Sequence, residues 1–238
     1  MSALDDAMIV YAPYLLARVD GGRFTSTVGA AAVSTGVEVV PGAGGQVLRL
    51  YDSEATVTGA GDFSDKHFTV GVWFRGGVGT ATRTLFARRN GMTAIVLSIT
   101  RDGLVQAYVA SAKGKHSMTI TGTSRVDDQQ WHLVMLRVKK DTSLLGSFAG
   151  NIAGTVIVDG DTERDGWIKP GLFQTSPDVS MDTPIVIGRD TDGSTPVQGE
   201  VGPVAVWRTN LATEAIRAMV DARPEQRHSV MGWGIPLG

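Results

Sequence analysis

The chain has no cysteine, which excludes disulfides, thiol nucleophiles and Cys-ligated zinc together. Its 238 residues do not need such staples, because a domain of that size removes roughly 70–75% of its unfolded surface from water. An excess of one charge is missing as well. There are 22 Lys+Arg against 24 Asp+Glu, a formal net charge of −2, and the basic residues are scattered along the chain. Nucleic acid is therefore not an expected partner, since affinity for a polyanion comes from clustered cations that release counterions. No uncharged apolar run reaches about 18 residues, so no membrane-spanning helix is expected. Residues 1–17 (MSALDDAMIVYAPYLLA) hold Asp5 and Asp6 and no Lys or Arg, where a signal peptide would be basic. The expectation is a protein made in a cytoplasm without an export signal.

What the chain does have is punctuation. Gly 30 and Pro 9 divide it into short segments, most with β-branched or aromatic residues at every second position. In residues 67–74 (HFTVGVWF), Phe68, Val70, Val72 and Phe74 fall on one face of a strand and Thr69, Gly71 and Trp73 on the other. Residues 93–100 (TAIVLSIT) and 104–111 (LVQAYVAS) form a hairpin about the turn Arg101-Asp102-Gly103. The pattern continues at 116–121, 131–139 (WHLVMLRVK), 155–158, 185–187 and 201–207, and earlier at 37–40, 46–51, 55–58 and 83–88. That is about a dozen strands, with no alternating helices. Such density excludes a parallel α/β sheet and predicts an all-β sandwich or barrel.

One helix is expected, at residues 211–222 (LATEAIRAMVDA). There Ile216, Met219 and Val220 share a face, Asn210 or Thr213 caps the start and Pro224 closes the end. Two connections exceed what a hairpin needs. They are residues 141–154, and residues 159–184, read as a long loop carrying Trp167 and Phe173. Residues 223–238 (RPEQRHSVMGWGIPLG) are too rich in Gly and Pro for a regular element. The organisation predicted is one sandwich over residues 1–222 followed by an extended tail over 223–238.

Several segments, in order, carry a family resemblance. Residues 44–50 (GGQVLRL) look like a G-x-alkyl-x-F/L strand, 68–74 (FTVGVWF) like F-T-V-S-x-W-x, and 131–134 (WHLV) like W-H-x-V. Residues 156–160 (VIVDG) look like L-Y-V-D-G and 185–188 (IVIG) like L-x-I-G. Residues 199–207 (GEVGPVAVW), with Leu211 and Ile216, resemble the closing F-x-G-x-I-D-E-V-x-I-y … L … E-I. Their order resembles LamG-like members of the concanavalin A-like lectin/glucanase superfamily. The resemblance implies a two-sheet antiparallel jelly-roll sandwich with one short C-terminal helix. Pro203 and Val204 depart from it, replacing an acidic pair, and so does the long 141–154 connection.

Glucanases of that superfamily place closely spaced carboxylates on one strand, because a general acid and a nucleophile must flank one glycosidic bond. No E-x-D-x-x-E pattern occurs here, and Glu38, Glu54, Glu163, Glu200, Glu214 and Glu225 stand apart. The four histidines lack metal-ligand spacing and no G-x-S-x-G elbow is present. No catalytic residue is expected. Calcium is the cofactor the resemblance implies, with Asp190, Asp192 and the Asp178/Asp182 pair as loop oxygen ligands, although residues 189–193 (RDTDG) also read as an ordinary polar turn. No other cofactor is expected. Trp167, Phe173, Trp233 and Ile235 are the candidate ligand or partner contacts, being large apolar groups in a loop or the tail.

The function expected is a non-enzymatic structural or binding module. By resemblance, it is foremost a bacteriophage virion surface protein, either a capsid decoration or a tail-associated adhesion module, oligomeric within an assembly and contacting other virion subunits or cell-surface carbohydrate. The alternatives are a carbohydrate-binding module of a bacterial surface protein and a glycoside-processing enzyme.

Overall fold

The computed structural model describes residues 8–12, 23–25, 31–35, 37–42, 45–64, 67–111, 116–140, 150–169 and 177–221. Within them the strands are β1 (Met8–Ala12), β2 (Arg23–Thr25), β3 (Ala31–Thr35), β4 (Glu38–Gly42), β5 (Gly45–Tyr51), β6 (Glu54–Thr58), β7 (Phe68–Arg75) and β8 (Arg83–Asn90). They continue as β9 (Thr93–Ile99), β10 (Leu104–Ala110), β11 (Ser117–Arg125), β12 (His132–Lys140), β13 (Ile152–Val158), β14 (Asp161–Ile168), β15 (Ile185–Ile187) and β16 (Gln198–Trp207), and the helix is α1 (Thr213–Asp221).

Two antiparallel sheets result. One runs β14-β13-β12-β7-β16-β5-β4, with β1 also pairing β16, and the other runs β11-β10-β9-β8-β15-β6-β3-β2. The two-sheet antiparallel architecture expected from the sequence is present. Alternation explains the core: Phe68, Val70, Val72 and Phe74 of β7 and Val134, Leu136 and Val138 of β12 turn inward against Ile95, Leu97, Ile99, Val105, Ala107 and Val109 of the opposite sheet. Pro203 sits in a central strand without breaking it, because the β16–β7 register slips between Val201 and Val204 and places it in a bulge.

The first sheet has a second apolar layer on its outer face. Trp73, Leu133, Met135, Ile157 and Trp207 are buried there beneath Leu211, Ile216, Met219 and Val220. Each such side chain contributes about 1.5–3 kcal/mol of burial, so α1 is held by packing more than by its own propensity. The helix begins at Thr213, two residues later than the spacing predicts. Leu211 is kept out of it because its N–H donates to Thr69 Oγ1 (3.2 Å) while its carbonyl accepts from Arg137 (3.2 Å).

A second difference concerns residues 159–184. Residues 161–168 (DTERDGWI) are not loop but strand β14, paired along β13 at the edge of the sheet. The strand lacks an apolar face, since only Ile168 among its residues is buried, and the ladder to β13 stands in for the missing alternation.

Candidate ligand-binding groove

α1 covers only part of the outer face of its sheet. Along β12 the outward residues change from Leu133 and Met135, beneath the helix, to Arg137 and Lys139, beyond it. Register carries the same row across the sheet, with Arg137 opposite Thr155 and Lys139 opposite Ala153, then Thr155 opposite Asp165 and Ala153 opposite Trp167. Together with Asn210, these residues line a cavity of about 290 Å³.

One wall is the segment from Thr209 to Leu211, fastened at three points. Thr69 Oγ1 donates to the Thr209 carbonyl (2.8 Å), the Leu211 N–H donates to Thr69 Oγ1, and Arg137 Nη1 donates to the Leu211 carbonyl. The floor and far wall are three strands, so the groove is formed in advance. Trp167 stands at its rim, 50% exposed, with Lys169 Nζ 5.3 Å from its ring centroid. Thr155 Oγ1 donates to Asp165 Oδ1 at 2.7 Å.

A bulge interrupts the strand that carries Trp167. β13 and β14 pair residue for residue except that Arg164 and Thr162 oppose Val156 and Ile157, leaving Glu163 without a cross-strand partner. The freed Glu163 carboxylate reaches β11 of the other sheet. It accepts from the N–H groups of Thr123 (2.7 Å) and Ser124 (2.8 Å) and from Ser124 Oγ (2.7 Å). Burial opposes its charge, but these donors outweigh that and lower its pKa. The sheets approach closely at this edge. A Cβ on Gly166 would lie 2.5 Å from Ile120 Cγ1, which leaves no room for a side chain, and one on Gly154 would have to displace the tip of Met118, 2.6 Å away.

A second polar cluster lies past the other end of β12. His132 Nδ1 is 2.7 Å from Asp159 Oδ2 and Nε2 is 2.9 Å from Asp128 Oδ1, while the Leu133 N–H donates to Asp159 Oδ1 (2.9 Å). Asp159 has φ +50°, at the tight turn between β13 and β14. The cluster closes that turn on β12, a structural task. Burial of the imidazole works against its charge, yet the two carboxylates prevail and its pKa is raised, while the hydrogen bond with His132 lowers that of Asp128.

Of the residues singled out from the sequence, Trp167 lies on the groove, on a strand and not in a loop. Phe173, Trp233 and Ile235, and the 223–238 tail, fall outside the described residues. Asp190 and Asp192 lie away from the groove, in a turn. Asp190 takes a two-pronged hydrogen bond from Arg89 (2.6 Å each), and Asp192 Oδ1 accepts the Ser194 N–H (2.9 Å). A calcium ion there would have to displace a guanidinium, and among the described residues no group of three or more His, Asp or Glu could hold a metal. Arg137, Lys139, Thr155, Asp165 and Asn210 were not anticipated. The signal for them was the outward set of β12, which turns from apolar to cationic halfway along.

Residues 50–217 match a family model described as Concanavalin A-like lectin/glucanases superfamily, and the chain belongs to that family. A search among curated proteins gives no match. Similar solved structures include the binding domain of Paraclostridial Mosquitocidal Protein 1, at 14% identity and TM-score 0.66, covering 92% of this chain and 53% of that one. The receptor binding domain of botulinum neurotoxin D has 12% identity, TM-score 0.64 and coverages of 92% and 53%. The binding domain of Botulinum Neurotoxin DC in complex with SialylT has 12% identity, TM-score 0.64 and coverages of 92% and 52%. The chain therefore spans about half the length of these structures, and the likeness is one of fold.

Proposed function

We propose that the chain is a non-enzymatic binding module that takes a saccharide in the groove beside α1. The observation that carries this reading is Trp167, a half-exposed indole on a paired strand. An indole left in water forfeits up to roughly 4 kcal/mol of burial, and a flat apolar face bordered by hydrogen-bonding groups suits the C–H face and hydroxyl rim of a pyranose. Arg137, Thr155, Asp165 and Asn210 supply such a border. Among the described residues Asp165 is the one carboxylate lining the groove, whereas glycoside hydrolysis uses a pair flanking the bond. Structures described as toxin binding domains share the fold, one of them in complex with SialylT, which agrees with a binding role.

For the setting we keep the virion. A tail-associated adhesion module of a bacteriophage, assembled with other virion subunits, would use this groove on cell-surface carbohydrate. Two measurements test the reading. On an immobilised glycan panel, Trp167→Ala should weaken retention at least about tenfold, equivalent to about 1.4 kcal/mol, with little change in melting temperature. Retention that survives the substitution refutes the groove. Mass spectrometry of purified phage particles carrying the gene should detect the chain in the particle, and its absence there refutes the virion setting.

A further inference from the structure

The groove is cationic on a protein that is not. Arg137 lines it and Lys169 stands over Trp167, beside Asp165, the one carboxylate lining it among the described residues, while the whole chain has a formal net charge of −2. Several arginines elsewhere meet carboxylates: Arg49 and Arg75 share Glu200, Arg89 holds Asp190 and Arg125 holds Asp127. Arg137 has no carboxylate partner among the described residues. Its hydrogen bond to the Leu211 carbonyl spends one donor of Nη1, which fixes the guanidinium in place and leaves the rest of a five-donor fork for something else.

From this we infer that the groove selects a carboxylate-bearing pyranose over its neutral counterpart, with the ring on Trp167 and the carboxylate on the fork of Arg137. The inference rests on the saccharide reading above and deepens it. A planar carboxylate matches the two parallel N–H bonds a guanidinium offers. Asp165 opposes any anion in the groove, so a singly charged group is favoured over a doubly charged one. Asn210 and Thr155 remain for hydroxyls.

The test uses the full chain and a glycan panel in which each acidic sugar appears beside its methyl ester and beside sulfated glycans. The expected result is retention of an acid at least about tenfold tighter than its ester, weakening as salt rises. Arg137→Gln should collapse the acid-to-ester ratio toward unity. Because Arg137 also holds Leu211, a second variant guards against a folding artefact. Asp165→Asn keeps an acceptor for Thr155 and should tighten binding of the acid while leaving that of the ester nearly the same. Equal binding of acid and ester, both lost in Trp167→Ala, overturns acid selection while the saccharide reading stands. Retention of sulfated members alone overturns the carboxylate assignment. Failure to bind any member overturns both.

Discussion

His132 is clamped between Asp128 and Asp159, and the sign of its contribution to stability can be worked out from that geometry. Its pKa is raised on folding, so its stabilisation is fully present below the unfolded value of about 6.5 and is lost as pH rises through the higher folded value. Asp128 is shifted down, so its share is present above about 3.9 and is lost on acidification. The cluster contributes most between those limits. Urea unfolding should show stability declining above about pH 6.5 in the parent and a shallower decline in His132→Gln. Parallel curves would remove the clamp from the account. At this scale the sequence was half legible. Trp167 stood out because it was a large apolar group in a polar stretch, whereas Arg137 and Asp165 looked like ordinary surface charges until pairing across β12, β13 and β14 set them around one cavity.

Among the elements, β14 is one that alternation did not find, as are β1, β2 and β3. Its sequence, DTERDGWI, has no apolar face because its outer side borders the groove and its inner side needs Gly166 to let Ile120 approach. What identifies it is the neighbour: β13 alternates, and its ladder continues through the turn at Asp159-Gly160. The strands with buried faces, such as β7, β9, β10 and β12, were legible to within two residues because burial on alternate positions is what makes them strands. β14 is also latched to β11 by Glu163, and that latch is measurable. Glu163→Gln should cost about 1 kcal/mol at neutral pH, since an amide accepts fewer of the donors from Thr123 and Ser124. The lowered carboxyl pKa means the parent's advantage should vanish as pH falls through the folded value. An advantage that persisted at the acid end would place the stabilisation elsewhere.

Over the whole molecule, cations of the side chains tie the loops. Arg88 is fully buried, donates to the carbonyls of Gly61 and Thr183 (2.8 Å each), and lies 4.6 Å from the Phe63 ring centroid, joining two connections to β8. Arg89 does the same for the 190–194 turn through Asp190. Calcium is therefore expected to leave the melting temperature unchanged. An ion present at 100 times its dissociation constant would add about 2.7 kcal/mol, a shift easily seen and reversed by chelator if it occurred. The sandwich and its helix followed from periodicity and landmarks spread along the chain. The groove did not, because it depends on where α1 stops covering a sheet.

The bulge at Glu163 also makes the groove tolerant of a change in chain length. Thr162 opposite Ile157 and Arg164 opposite Val156 are already the consecutive pairs of an unbroken ladder, so removing Glu163 would leave the side chains on both sides of the cut on their present faces. Asp165 and Trp167 would still turn to the groove and Gly166 to Ile120, and what would be lost is the latch onto Thr123 and Ser124. A lineage could thus lose or gain the residue at 163 by a single-codon deletion or insertion and keep the same side chains around the groove, exchanging only the tie between the two sheets.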